Sequence, residues 1–378
     1  MSKVDSSKIS SSRMIETIYG GTGYVFYGIT TDSNDDIVCI ANTNSGEGDD
    51  INTVTVVKFS GSDLSVLAEY VYGSSDRNFL YGVATDSNDD IICAGFTVRD
   101  GIDSNDALVV KFSGSDLSIL AEQVHSVTSR DYFYDIVTDP DGNIICVGNT
   151  YSESSVTTDA LVVKFSGSDL SVLAEQVYSN TDHDSFHGVA TNHDGDIVCV
   201  GYTASEGGIG MSALVVKFSG TDLSILARKV YGDTCYDCFR GVVTDLNNDI
   251  VCIGHTRNEV SDSYDGLVVK FSGSDLSILA EQVYSGTDND NFNGVVLDSK
   301  GDIMCVGWII SEESNSPDAL LVTFDGSDLS ILSDQVLIGE FFYAVATNHN
   351  GDIVCVGSTS SEESSSANAL VVKYVNVT

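Results

Sequence analysis

Basic residues are scarce in this chain: 17 lysines and arginines stand against 56 aspartates and glutamates over 378 residues, a formal net charge of −39. A field of that sign repels phosphate backbones and anionic bilayers, so nucleic acid is not an expected partner. No run of 18 or more apolar residues occurs, which excludes insertion into a membrane as an ordinary helical span. The opening Met1-Ser2-Lys3-Val4-Asp5 lacks the apolar stretch of a secretion signal. As given, the chain reads as cytoplasmic, or as a surface or exported protein if a leader has been removed; the compartment stays open. Proline is nearly absent, with Pro140 and Pro317 alone, and there is one tryptophan, Trp308. Turns therefore fall to glycine, aspartate, asparagine and serine, which suits many short strands. The acidity itself fits solubility, a saline or calcium-rich setting, or a cationic partner.

What the chain does have is repetition. Cys39, Cys93, Cys146, Cys199, Cys252, Cys305 and Cys355 recur at spacings of 54, 53, 53, 53, 53 and 50, each inside a version of D-I-V-C-V-G. Every unit carries four strand signals: A (G-V-A-T-D), B (D-I-I-C-A-G), C (A-L-V-V-K-F) and D (S-I-L-A-E-Q-V). The turns between them are short, so the strands form an antiparallel meander. Strands B and C are apolar at consecutive positions, which means both faces of each sheet are covered. Four-stranded sheets covered on both sides by copies of themselves are propeller blades. The expected fold is all-β, a single seven-bladed β-propeller over 1–378. Blades 1 to 6 lie within 24–338, and 341–378 supplies the inner three strands of blade 7. The seventh unit ends without a D strand, while Met14-Ile15-Glu16-Thr17-Ile18-Tyr19-Gly20 matches Leu67-Ala68-Glu69-Tyr70-Val71-Tyr72-Gly73. Residues 10–20 are thus expected to complete blade 7 and close the ring, with 1–9 disordered.

The core Gly188-Val189-Ala190-Thr191-Asn192-His193-Asp194-Gly195-Asp196-Ile197-Val198-Cys199-Val200-Gly201-Tyr202-Thr203, followed by the A-L-V-V-K-F strand, resembles the bacterial and archaeal propeller repeat family often labelled SBBP. The resemblance covers essentially the whole chain. It departs at Asp89 and Asn248, where a turn glycine is expected, and at Thr323, where the other blades have lysine. It implies a propeller, often in a surface or exported setting, and transfers no active site.

Most recurrent residues have a structural reading. The repeated cysteines face between blades as small buried thiols, with equivalent positions too far apart for disulfides. The C-strand lysines (Lys58, Lys111, Lys164, Lys217, Lys270 and Lys373) are expected to pair with a carboxylate such as Asp32 or Glu69. The acidic A-to-B turns look faintly like calcium loops but lack a distal bidentate glutamate, and their Asp, Asn and Gly also serve positive φ. His193 and His349 read as solvated turn residues.

Only one rim varies between copies. Its B-to-C loops, among them 44–50, 152–155 and 311–314, differ in every blade. Two varied positions are expected at the mouth of the central channel. Before the A-strand glycine stand Tyr27, Tyr81, Tyr134, His187, Arg240, Asn293 and Tyr343; before the threonine that ends strand B stand Asn42, Phe96, Asn149, Tyr202, His255, Trp308 and Ser358. Aromatic rings mixed with Asn, His and Arg in a concave mouth suit a sugar or a peptide. Cys235 and Cys238 with His183 and His187 have the donor types of a tetrahedral zinc site. No cofactor is required; calcium in the turns and zinc at this set are the candidate metals. The leading function is a non-enzymatic binding or scaffolding propeller for a protein or carbohydrate ligand. The alternatives are a self-assembling surface-layer-type component that depends on divalent ions, and a glycan-active enzyme, for which no carboxylate pair stands out.

Overall fold

In the computed structural model, the described residues are 13–21, 23–43, 53–73, 77–98, 104–128, 130–152, 157–179, 182–204, 210–232, 236–258, 260–285, 289–310, 317–360 and 367–375. The strands form seven four-stranded antiparallel sheets. Blade 1 illustrates the plan with Tyr24–Thr31, Ile37–Thr43, Thr53–Phe59 and Val66–Tyr72 as strands A to D, ordered A-B-C-D from the channel outward. Blade 7 is completed as expected: Arg13–Tyr19 pairs antiparallel with Ala367–Val375, in register from Arg13↔Val375 to Tyr19↔Ala369. The varied loops 44–50, 153–155 and 311–314 and the segment 1–9 lie outside the described residues.

The apolar runs of strands B and C explain the stacking of blades. Ile37, Cys39 and Ala41 of blade 1 share one core cluster with Val354, Val356, Ala369 and Val371 of blade 7, and each further pair of neighbours has such a cluster. Within most blades a phenylalanine from strand A meets one from strand C edge to face. Phe26 and Phe59 have centroids 6.0 Å apart at 84°, and Phe186 and Phe218 repeat this at 6.0 Å and 89°. The seven repeated cysteines are fully buried and unpaired, and burial pushes their thiols up.

Backbone approaches backbone where strand A faces the next blade. A Cβ on Gly28 would stand 2.5 Å from the carbonyl oxygen of Tyr81, so only glycine lets these inner strands meet there.

The C-strand lysines provide the second inter-blade contact. Lys58 Nζ lies 2.7 Å from Asp32 in its own blade and donates to the Gly114 carbonyl in the next blade at 3.0 Å. Lys111, Lys164 and Lys270 repeat this with Asp86, Asp139 and Asp245 and with the carbonyls of Gly167, Gly220 and Gly326. In blades 4 and 7 asparagine holds the first turn position, so Lys217 and Lys373 turn to Asp196 and Asp352, at the turn's end. The expected partnership with Asp32 holds, whereas that with Glu69 does not: Glu69 accepts from Tyr19 of the preceding blade's outer strand at 2.8 Å. The register explains this, since Glu69 lies opposite Val57 and its alternation puts it on the outer surface.

Blade 6 is the exception, with Thr323 at the lysine position. Each lysine reaches the C-to-D turn of the following blade, but blade 7 takes its outer strand from Arg13–Tyr19 and has no C-to-D turn. Blade 6 therefore lacks the acceptor its lysine would need.

The Asp89 and Asn248 departures are explained by side-chain reach. With Asp35 they adopt left-handed φ of 61°, 64° and 65° where other blades place glycine. Asp89 accepts from the Ser33 N–H of blade 1 at 2.9 Å, Asn248 accepts from His193 N–H at 3.0 Å, and Asp35 accepts from His349 N–H at 2.8 Å. Backbone strain is offset by a bond to the preceding blade that glycine cannot make.

Lys164→Met leaves the Asp139 carboxylate buried without its cation and is expected to lower unfolding free energy by about 3 kcal/mol. Urea denaturation at neutral pH checks this; a change below about 1 kcal/mol would mean the pair is solvated.

Candidate functional site

Strand A lines the channel, and in all seven blades it carries a β-bulge at one equivalent position. The register skips between Phe26 and Gly28, Leu80 and Gly82, Phe133 and Asp135, Phe186 and Gly188, Phe239 and Gly241, Phe292 and Gly294, and Phe342 and Ala344. The extra residues are Tyr27, Tyr81, Tyr134, His187, Arg240, Asn293 and Tyr343. A bulge breaks the alternation and re-aims a side chain, and all seven line one cavity of about 640 Å³ in the channel.

The lining has two sides. Tyr343, Tyr27, Tyr81 and Tyr134 make a continuous aromatic arc, with successive centroids 4.8, 5.8 and 5.9 Å apart. His187 continues it, stacked on Tyr134 at 5.0 Å, and Phe341 lies 4.4 Å from Tyr343. Burial raises the phenols of Tyr81, Tyr134 and Tyr343 to about 12, which keeps them as neutral hydrogen-bonding groups. The other side is polar: Arg240, with Asn293 and Asn291. Burial, then the charge of Arg240, lowers His187 to about 3 and His255 to about 4, so both imidazoles are neutral at physiological pH. Arg240 is the exposed member of the ring and has no ion pair among the described residues.

The second varied set sits differently from expectation. Of Asn42, Phe96, Asn149, Tyr202, His255, Trp308 and Ser358, only Trp308 lines the cavity. Strand B is one inter-strand spacing farther from the axis, roughly 4.8 Å, and only the largest side chain spans that step. Most of the others serve contacts within and between blades. Asn42 bonds both backbone groups of Leu80 in the next blade, at 2.9 and 3.1 Å, and Phe96 meets Tyr132 of the next blade edge to face at 4.9 Å. Asn149 donates to Ser185 across a blade boundary at 3.1 Å, and His255 meets Asn291 at 3.1 Å in the same way. Tyr202 packs within its own blade, 5.5 Å from His187.

Asp135, Asn291 and Phe341 also belong to the lining and escaped the sequence reading. Asp135 was detectable, because it replaces the A-strand glycine of five other blades. Its Oδ1 accepts from Ile136 N–H and its Oδ2 from Val189 N–H of the next blade, each at 2.9 Å. Burial outweighs those bonds and raises its carboxyl to about 6. Asn291 and Phe341 stand two residues before the bulge, where the strand period returns side chains to the same face.

In the zinc-type set, Cys235 lies outside the described residues. Cys238 is buried, its thiol directed at the Phe239 carbonyl and pushed up to about 11 by burial. His183 accepts from the Thr158 N–H at 3.1 Å, and His187 faces the channel. Among the described residues no group of three or more His, Cys, Asp or Glu side chains is arranged to hold a metal.

Comparison with known proteins supports the architecture. The fold is similar to that of the RRP9 WD40 repeats, with a TM-score of 0.63 at 13% identity over 95% of this chain and 97% of that one. The WD40 propeller domain of Doa1 gives 0.59 at 14% identity over 97% and 96%. A catalytically inactive virginiamycin B lyase from Staphylococcus aureus with quinupristin gives 0.58 at 10% over 97% and 100%. No family model and no curated protein sequence matches the chain. The propeller fold is thereby shown, while the likeness to the SBBP-type repeat rests on the repeat motif alone.

The neutral imidazoles give a pH signature. Their pKa values are depressed in the fold, so the unfolded chain binds protons first below about 6.5, and their stabilisation is lost as pH falls from there toward 4 to 3. Asp135, raised in the fold, acts oppositely between about 6 and its ordinary 3.8. Replacing His187 with glutamine is expected to reduce the stability lost between pH 7 and pH 4.5 by about 1 to 2 kcal/mol. Paired urea titrations at the two pH values measure this, and parallel losses in both proteins would show that His187 is solvated.

Proposed function

We propose that the chain is a non-enzymatic binding or scaffolding propeller that engages a protein or glycan ligand with its varied rim and channel mouth. The observation that carries this reading is the set of seven bulges. A feature placed in every blade aims a varied strand-A side chain, tyrosine, histidine, arginine or asparagine, at one shared cavity, while the residue just before it is phenylalanine or leucine in every blade and packs into the core. Variation at a position that faces a concave space, beside a constant core position, suits a recognition surface on a fixed scaffold. The cavity is of the size that holds small ligands or the tip of a larger one. Asp135 is the one carboxyl among the described lining residues, and both of its oxygens already accept backbone bonds, which favours binding over a two-carboxylate cleavage.

The outer strands support a second reading, structural self-assembly. Those of blades 1 to 6 each expose an apolar pair, Val66-Leu67, Ile119-Leu120, Val172-Leu173, Ile225-Leu226, Ile278-Leu279 and Ile331-Leu332, on an edge strand.

A glycan array and a peptide array probed with the wild-type protein and with a Tyr27→Ala, Trp308→Ala, Tyr343→Ala variant separate the two. Binding by the wild type that falls at least about tenfold in the variant, with its melting temperature maintained, is the expected result. No binding by the wild type, together with calcium-dependent multimers on size-exclusion chromatography, would replace this reading with assembly.

A further inference from the structure

We propose that the channel mouth takes up a sugar bearing a single carboxylate, of the hexuronic acid type, with Arg240 reading the carboxylate and the tyrosine arc holding the ring. This deepens, and rests on, the binding role given above.

Arg240 is unusual in its surroundings. In a chain of net charge −39, its guanidinium is exposed in the cavity with no ion pair among the described residues. The C-strand lysines, by contrast, are all held by carboxylates. The one carboxyl among the described lining residues, Asp135, is committed to two backbone N–H groups. The imidazoles nearby are neutral, so the polar side presents one positive charge. A planar guanidinium matches a carboxylate with two parallel bonds.

The same balance limits the ligand to few charges. One arginine charge is matched by one carboxylate at close range, where the partly desolvated mouth strengthens the attraction relative to water. The diffuse acidic surface is screened beyond roughly 8 Å at physiological salt, so it scarcely opposes a monoanion. A polyanion would extend out of the channel into that surface and be repelled.

The body of the ligand follows from what faces Arg240. Four of the seven bulge residues are tyrosine and none is phenylalanine. Their faces suit stacking, and their neutral hydroxyls suit a ring with several hydroxyl groups, while Asn291 and Asn293 are bonded to His255, to each other and to the Phe342 carbonyl. An aromatic acid would use the stacking surfaces and leave the tyrosine hydroxyls unanswered.

Trp308, the only tryptophan, lines the cavity and reports occupancy by its fluorescence. Titrations with methyl glucuronide and methyl galacturonide are compared with the matching neutral methyl glycosides and with 4-hydroxyphenylacetate, and checked by calorimetry. At least one uronide is expected to bind at least about tenfold more tightly than its neutral counterpart and than the aromatic acid. Arg240→Gln is expected to remove that advantage with the melting temperature maintained, and Arg240→Lys to restore part of it. The proposal is overturned if neutral and acidic sugars bind alike, if Arg240→Gln keeps the uronide affinity, if 4-hydroxyphenylacetate binds more tightly, or if neither uronide binds the wild type below about 10 mM, a limit corresponding to about −2.7 kcal/mol. An array ligand lost by the Tyr27, Trp308, Tyr343 variant but kept by Arg240→Gln would remove the carboxylate assignment and leave the binding role standing.

Discussion

The ring depends on a buried ammonium group shared between neighbouring blades. An isolated lysine at that depth would lose its proton or unfold its surroundings. Here an aspartate of the same blade supplies the countercharge and a glycine carbonyl of the next blade supplies a further acceptor. The charge is therefore satisfied only when two blades are in contact and in register. Hydrophobic clusters between blades provide the non-directional attraction, and the lysine makes it directional, because a carbonyl in a turn has one location. The Asp35, Asp89 and Asn248 side chains add to this on the same rim, each accepting from the turn of the blade before it.

That constancy on one rim leaves the opposite rim and the channel free to vary. The contacts that hold the blades together need the A-to-B and C-to-D turns, so those turns recur nearly unchanged. The bulged residue of strand A takes no part in the ladder, and its side chain turns into the channel, where most meet their counterparts from neighbouring blades instead of packing between sheets. A tyrosine, a histidine, an asparagine and an arginine are thus tolerated at equivalent positions of almost identical units. Asp135 shows the limit of this freedom: one step past the bulge most blades need glycine for close backbone approach, and the aspartate fits because its carboxyl captures the N–H of Val189.

Blade number, strand order and closure were legible in the sequence because each leaves a periodic trace. The cysteine spacing set the count, and the match of the 14–20 segment to 67–73 placed the outer strand of blade 7. The partners of Lys58 were half legible: an acidic turn beside a basic strand pointed to Asp32, but the carbonyl of Gly114 belongs to another copy and leaves no mark in its own sequence. At the channel, the position before the strand-A glycine was visible as variable, whereas the bulge that turns it inward was not. Strand B's varied position looked equivalent in the linear chain, yet distance from the axis removes all but Trp308 from the lining. Linear spacing carries the period of a strand, and radial depth has no linear counterpart.

The threonine at 323 gives the ring an unequal joint. Six neighbouring pairs of blades have a lysine bridging them, and the pair formed by blades 6 and 7 does not. That joint borders the blade assembled from both chain ends, where the outer strand and the inner strands come from opposite termini. The circle thus has one joint held by its apolar cluster without the directional charge of the other six, and it adjoins the blade in which the two ends of the ring meet.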